Sequence, residues 1–345
     1  MLRPANICFS VIMPCYNSAA YVAQAVQSLQ KQTYPNWELI AVNDGSKDKT
    51  LEILNEFAEK DGRIKVYSKK NGGYATAVNL GLEKVSGDYF LMMGSDDMLA
   101  EQLLSELVYW LSENKAQPDM IAFRAVQFKN GAFFQRDAIS DFDSVAEMSG
   151  VTVTEFERQY PKNAKIFFVR DTAKCFKTSK LKKLHYFGKS GFDADGVFST
   201  LFAHQCRSFL TLPFDGYIWT IRNDSVSANT NPKINIDRIK VWTKYLSFVD
   251  KNKTTELSKQ EEKYLAFPFL VCSKLFHQSK KMAAFHIAAL HKVLRLSIKI
   301  AQERKIHLSD YQGIFDENPI KRKLFLLFPC VWLKRHGFVE YADNQ

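Results

Sequence analysis

No run in these 345 residues reaches the ~18 uninterrupted apolar residues that a membrane-spanning helix needs, which argues against a span. A Gly-x-Gly-x-x-Gly after the first apolar segment is missing, as is any Gly-x-x-x-x-Gly-Lys-Ser/Thr. The dinucleotide and P-loop readings therefore lose support. Cysteine is sparse: Cys8, Cys15, Cys175, Cys206, Cys272 and Cys330 form no C-x-x-C pair and read as buried thiols in a reducing compartment. The opening Met1-Leu2-Arg3-Pro4 lacks the apolar core of a secretory signal, so a cytoplasmic protein is expected. Zinc spacing, RNP-like strands and a helix-turn-helix pattern are absent too, and no nucleic-acid partner is expected.

What is present is an ordinary globular composition, 46% hydrophobic and 24% charged, with a net charge of +10. That charge is unevenly placed. From Asn231 onward there are 21 Lys+Arg against 11 Asp+Glu, while the preceding 230 residues balance at 26 to 26. An excess confined to the last third points to a local partner surface and says nothing about chemistry further upstream.

The segment Gly87-Asp88-Tyr89-Phe90-Leu91-Met92-Met93-Gly94-Ser95-Asp96-Asp97 organises the rest. Five consecutive large apolar residues predict a strand buried on both faces, and two adjacent carboxylates follow it. Neighbouring carboxylates repel unless water or a cation compensates them. At the carboxyl end of a buried strand, where open α/β sheets bind ligands, hard oxygen ligands suit Mg²⁺ or Mn²⁺ on a phosphate. The plainer alternative is that Ser95, Asp96 or Asp97 caps the next helix.

The chain around this segment alternates strand and helix. Strands are expected at Cys8–Met13 (ended by Pro14), Glu38–Asn43 and Ile64–Tyr67. Helices are expected at Ala19–Gln32, after Asp48, after Asn71-Gly72-Gly73 and around Leu103–Leu111. Alternation of this kind predicts an α/β fold, a mostly parallel sheet with helices on both faces. Tyr16, Asn17, Asp44, Asp96 and Asp97 then all follow strand carboxyl ends and converge on one edge. Such a set suits a nucleoside diphosphate. Tyr16 can stack on the base, Asp44 can accept from a base N–H or ribose hydroxyl, and the acid pair can hold the metal. For Asp44 the plainer reading is an Asp-Gly turn.

Four blocks in order, Ser10-Val11-Ile12-Met13-Pro14-Cys15-Tyr16-Asn17, Val42 to Thr50, Asn71-Gly72-Gly73 and Ser95-Asp96-Asp97, resemble family 2 glycosyltransferases of the GT-A fold over about residues 7–115. The resemblance implies that Pro14, Tyr16, Asn17, Asp44, Gly73 and Asp96 contact a nucleotide-sugar and that Asp96 and Asp97 hold Mn²⁺ or Mg²⁺. Gly94 departs from the family's Asp-x-Asp-Asp. A weaker likeness covers 190–227. There Asp195 and Phe198 match the family's base-bearing segment, with Ala194 in place of a Glu, so the resemblance makes Asp195 the catalytic base. Asp193 takes that role if the loop is shifted. Gly216 to Trp219 and Arg222 to Ser227 resemble the family's closing strand, with Arg222 placed to grip phosphate or simply to pair at the surface.

Elsewhere, strands are expected at Ile121–Lys129, Ala132–Arg136 (across an Asn130-Gly131 turn) and Ala164–Val169. A surface loop is expected over Asp137–Ser149 and a short helix over Ser179–Leu184. From Ile234 the pattern is helical, including Lys281–Ala301. Leu324 to Leu333, flanked by Lys321-Arg322-Lys323 and Lys334-Arg335, is too short to cross a bilayer and suits an anionic membrane surface, or else packs as a helical subdomain. The expected organisation is a catalytic domain over 1–230 and a basic helical region over 231–345. The expected activity is inverting transfer of a hexose from a UDP-sugar to a glycan or lipid-linked acceptor in surface polysaccharide synthesis. The alternative is a catalytically silent sugar-nucleotide or glycan-binding module.

Overall fold

The computed structural model describes residues 6–113, 117–182, 184–189, 191, 193–222, 232–252, 256–258, 261–262, 265 and 284–306. The chain divides into two compact units, Met1–Asn229 and Thr230–Gln345.

In the first unit the apolar runs become strands. β1 (Phe9–Cys15), β2 (Trp37–Asn43), β3 (Ile64–Ser68) and β4 (Tyr89–Met92) run parallel in the order β3-β2-β1-β4. β1, β2 and β4 are buried at every residue, as strands covered on both faces must be, whereas the edge strand β3 is partly exposed. The connecting helices are α1 (Val22–Gln30), α2 (Thr50–Lys60) and α3 (Tyr74–Leu82). Right-handed crossovers place α1 and α2 on one face and α3 on the other, because the path reverses between β3 and β4. Gly81 lets α3 lie close on β1, since a Cβ there would strike Ile12.

β1 runs through Pro14 to Cys15, beyond the expected end. Its pairing with β4 stops at Ile12, and the Cys15 carbonyl turns toward β2 to accept from Asp44 N. The missing N–H of Pro14 therefore costs no ladder hydrogen bond.

Beyond β4 come β5 (Met98–Leu99), α4 (Leu103–Glu113), β6 (Met120–Lys129), β7 (Ala132–Arg136) and β8 (Ala146–Ser149). After α5 (Val153–Gln159) and α6 (Pro161–Ala164) follow β9 (Lys174–Lys177), α7 (Ala194–Gln205) and β10 (Ser208–Thr220). The sheet continues as β4-β9-β6-β10-β5. β9 is antiparallel to both neighbours and β10 parallel to β6.

Three expectations need correction, and one strand was not expected at all. The segment 137–149 is not wholly a surface loop: Ala146–Ser149 forms β8 against β10, and Phe142 is buried. A four-residue strand with one buried position is too short to show alternation. Ala164–Val169 is not a strand; Pro161 starts α6 and Lys165–Phe168 forms a 3₁₀ turn. Ile166, Phe167 and Phe168 are buried consecutively, and the Ser199 hydroxyl on α7 donates to the Phe167 carbonyl (2.9 Å). The helix expected at Ser179–Leu184 is a 3₁₀ turn at Thr178–Lys180. β9 had no sequence signal; Phe176 holds it by stacking on Phe90 (5.0 Å) and meeting Phe202 edge-on (4.9 Å).

In the second unit α8 (Pro232–Lys251) packs on α9 (Ala284–Glu303). Val241, Tyr245, Leu246, Val249, Val293 and Leu294 are buried, while Lys292, Arg295 and Lys299 stay exposed, as the helical periodicity requires. Among the described residues no helix is long and apolar enough to cross a membrane. The segment 318–345 lies outside the described residues.

Candidate active site

β4 ends in a tight turn, Gly94 to Asp97, closed by Asp97 N donating to the Gly94 carbonyl (3.2 Å). The turn does not cap α4. That helix starts at Leu103, and Leu104 N donates instead to Gln32 Oε1 (3.0 Å). Strand β10 claims Asp97: the Tyr217 hydroxyl donates to Oδ2 (2.6 Å) and Thr220 N to Oδ1 (2.9 Å). Asp96 Oδ2 pairs with Arg222 (2.9 Å), whose guanidinium lies 4.4 Å over the Tyr21 ring. Burial and then the charge of Asp96 push the Asp97 carboxyl well above the usual carboxylate range.

Gly94 is what lets these two carboxylates meet. A Cβ there would run into Asp97 Oδ2 and Asp96 Oδ1, so both oxygens border one point above the glycine. A side chain at 94 would require the Asp96 and Asp97 carboxylates to move. Two hard oxygens at one point fit a divalent ion such as Mg²⁺ or Mn²⁺. Among the described residues no third His, Cys, Asp or Glu joins them. The protein thus offers two carboxylates, and ligand phosphates or water must complete the shell.

Next along the edge, Asn17 (φ +50°) bridges the loops after β1 and β2: its N–H donates to Ser46 Oγ (3.0 Å) and its Oδ1 accepts from Lys47 N (2.9 Å). Tyr16 is exposed beside it, and Pro14 lies in β1. Asp44 is buried and accepts from Gly72 N (2.9 Å), Gly73 N (2.8 Å) and Lys69 Nζ (2.6 Å). The Asp-Gly pair is therefore more than a turn, since its carboxylate shapes the Gly72-Gly73 loop. Gly73 (φ +92°) lies under the Lys189 carbonyl, where a Cβ would collide.

Asp193 and Asp195 open α7. Asp193 sits at the N-cap position in a left-handed conformation (φ 60°) without a side-chain cap bond, and Asp195 lies in the first turn, its Oδ1 accepting Gly196 N (2.8 Å). Burial, then the charge of Asp171, raise the Asp195 carboxyl above its ordinary range. Asp195 is part-buried, and the N-cap position belongs to Asp193. Tyr74 links the two acid groups: Asp171, Asp195, Asp97 and Asp96 all push its hydroxyl up, after burial. Tyr74 meets Tyr186 edge-on (6.3 Å), and Tyr186 stacks on Phe198 (4.6 Å). The fold thus gathers every candidate residue at the sheet's carboxyl edge. A cavity of about 410 Å³ lined by Val126, Phe133, Phe134 and Ile218 includes none of them.

Sequence reasoning missed Tyr74, Arg170, Asp171, Lys174 and Tyr186. No motif covers Arg170 and Asp171, and Lys174 stands in a strand, β9, that the sequence did not show.

A mixed sheet of this order, with an acid pair after its fourth strand, defines the GT-A class of fold. The glycosyl transferase family 2 model matches residues 10–184, and the chain belongs to that family. Relatives include glycosyltransferase GlyG of Streptococcus pneumoniae, 29% identical over 189 residues, covering 54% of this chain and 62% of that protein. Another is the minor teichoic acid biosynthesis protein GgaB of Bacillus subtilis, 27% identical over 266 residues, covering 76% of this chain and 28% of that protein. The chain thus spans less than two thirds of the length of these relatives. Among solved structures, S. aureus TarS 1–349 in complex with UDP-GlcNAc superimposes with a TM-score of 0.63 at 22% identity, over 89% of this chain and 90% of that one, and shares the fold.

Proposed function

We propose that this chain is an inverting glycosyltransferase that moves a hexose from a nucleotide-sugar to a hydroxyl of a glycan or lipid-linked acceptor. The observation that carries the reading is two acid groups at one sheet edge, Asp96 and Asp97 in the turn after β4 and Asp195 in the first turn of α7, both near enough to push up the Tyr74 hydroxyl. Separated acid groups suit a displacement in which one end holds the leaving diphosphate and the other takes the acceptor proton. In this reading Asp195 accepts that proton as the hydroxyl oxygen attacks the anomeric carbon from the face opposite the nucleotide. Its raised pKa suits a group that takes up a proton near neutrality. A divalent ion held by Asp96 and Asp97 would offset the charge of the departing diphosphate. Arg222, beside Asp96, is placed to donate to the same phosphates. Tyr16 stacks on the base, while Pro14, Asn17 and Gly73 shape the donor loops. Asp44 serves the donor through the Gly72-Gly73 backbone it holds.

A UDP-sugar is the favoured donor, supported by the UDP-GlcNAc bound to TarS. A surface polymer is the favoured acceptor, supported by the teichoic acid role in the name of GgaB. One observation favours a silent binding module instead: both acids after β4 are already engaged by Tyr217, Thr220 and Arg222. Nucleotide release from a panel of UDP-, GDP- and dTDP-sugars, with and without Mn²⁺, separates the two. Release from one donor is expected. Binding without release assigns the silent module, and neither binding nor release removes both readings.

A further inference from the structure

We infer that the buried cluster of Tyr186, Asp171 and Lys174 is a positioning device for Asp195, an inference that rests on the reading of Asp195 as proton acceptor. The cluster lies beneath the start of α7. Thr200 and Ser199 bond to the carbonyls of Phe168 (3.4 Å) and Phe167 (2.9 Å), which tie α7 to the segment running into Arg170 and Asp171. Lys174 is 0% exposed and folds its ammonium back onto the carbonyls of Arg170 and Thr172. Asp171, 2% exposed, accepts the hydroxyl of Tyr186. Tyr186 is itself clamped by Asn79 on α3, its N–H donating to Oδ1 (2.7 Å) and its carbonyl accepting from Nδ2 (3.0 Å). Its ring then stacks on Phe198, one turn along α7 from Asp195. Three elements therefore hold one buried acid and one buried cation in register with a fourth element's carboxylate.

Fully buried lysines and aspartates are uncommon, because desolvation costs several kcal/mol per ion. Neighbouring residues of β9, Cys175 and Phe176, show that apolar side chains pack here without difficulty. What Asp171 and Lys174 add, to the extent each is ionised, is a field at Asp195. The groups facing that carboxyl are Asp193 on its own helix, Arg170 and Asp171 from the turn, Lys174 from β9, Tyr74 from α3 and Tyr186 from the loop before α7. Asp137 also acts on Lys174 and is paired with Arg170 (3.2 Å). Asp171 opposes ionisation of Asp195, whereas Lys174 and Arg170 favour it. Burial lowers Lys174 to about 7, so its charge is fullest on the acid side of neutrality.

Opposite signs make the device testable. In full-length protein labelled with ¹³C at the aspartate carboxyls, the Asp195 signal is assigned by its loss in Asp195→Asn. Asp171→Asn should move the Asp195 titration down by about 1 pH unit, and Lys174→Met should move it up by about as much. Tyr186→Phe, which removes one hydroxyl from a ring that stays packed, should follow Asp171→Asn in direction. Should Lys174→Met not fold, Asp171→Asn and Tyr186→Phe carry the test. An unchanged titration, or shifts of one sign in Lys174→Met and Asp171→Asn, overturns the inference and leaves the base reading standing. Undiminished nucleotide release by Asp195→Asn overturns both.

Discussion

Asp96 and Asp97 are neighbours in sequence but unequal in the folded chain. Asp97 takes two protein donors, whereas Asp96 pairs with an arginine. An asparagine at 97 would turn an NH₂ toward Tyr217 or Thr220 and leave a buried donor unmatched, at about 1–3 kcal/mol. Asp96→Asn and Asp97→Asn should therefore both lose transfer, and only Asp97→Asn should also melt at lower temperature. Wild-type rates for both in EDTA would reduce the pair to a structural turn. At α7, Asp195→Asn should keep donor binding and lose roughly 100- to 10,000-fold in kcat, while Asp193→Asn stays near wild type. The reverse result would move the base to Asp193.

At the scale of elements, two polar ties hold the parallel half of the sheet in register. Glu38 on β2 is buried and accepts from Ser10 Oγ (2.6 Å) on β1, Lys65 Nζ (2.6 Å) on β3, and Ser86 N (3.0 Å) and Oγ (2.7 Å) before β4. Burial alone would raise its pKa, but the hydrogen bonds from Lys65, Ser10 and Ser86 outweigh it and hold the carboxyl at about 2, against an ordinary 4.5. A group depressed in the folded state stabilises fully above its unfolded pKa and loses that contribution as pH falls through the folded one. Urea midpoints should therefore drop between pH 4.5 and about 2 in the wild type, and Glu38→Gln should flatten that part of the curve. The second tie is the Asp44 carboxylate on the Gly72-Gly73 amides. Gly73→Ala forces a Cβ onto the Lys189 carbonyl at a φ that L-residues avoid, and should cost about 1–3 kcal/mol in a urea melt. A melt equal to wild type would mean the loop relaxes freely.

For the whole molecule, the excess charge beyond Asn231 remains the guide to what else the chain touches. The proposal is that residues 318–345 carry membrane association and contribute little to chemistry. Each Lys or Arg near anionic lipid contributes roughly 1 kcal/mol, which salt screens. Burying Phe325, Leu326, Phe328 and Trp332 adds a salt-insensitive share at roughly 25 cal/mol per Å². Binding to anionic liposomes should weaken at high salt without vanishing. A chain ending before Asn318 should stay soluble, lose liposome binding and still release nucleotide. Precipitation, or loss of its cooperative melt, would show that the segment belongs to the core.

Much of the parallel half was legible because its signals are local. Unbroken apolar runs such as Val11 to Met13 and Tyr89 to Met93, separated by helical periodicity, leave few arrangements other than a parallel sheet. Convergence of Tyr16, Asn17, Asp44, Asp96 and Asp97 follows, since parallel strands share their carboxyl edge. The other half rests on contacts distant in sequence. β9 exists because Phe90 and Phe202 enclose Phe176, and Val169 is not in a strand because α7 needs the preceding carbonyls. Whether Asp97 would cap a helix or be drawn away was open in sequence; Tyr217, 120 residues later, decided it. The cluster under Asp195 is of the same kind. Burial and charge at Asp171 and Lys174 are properties of the packed neighbourhood, and only the tertiary structure assembles that neighbourhood.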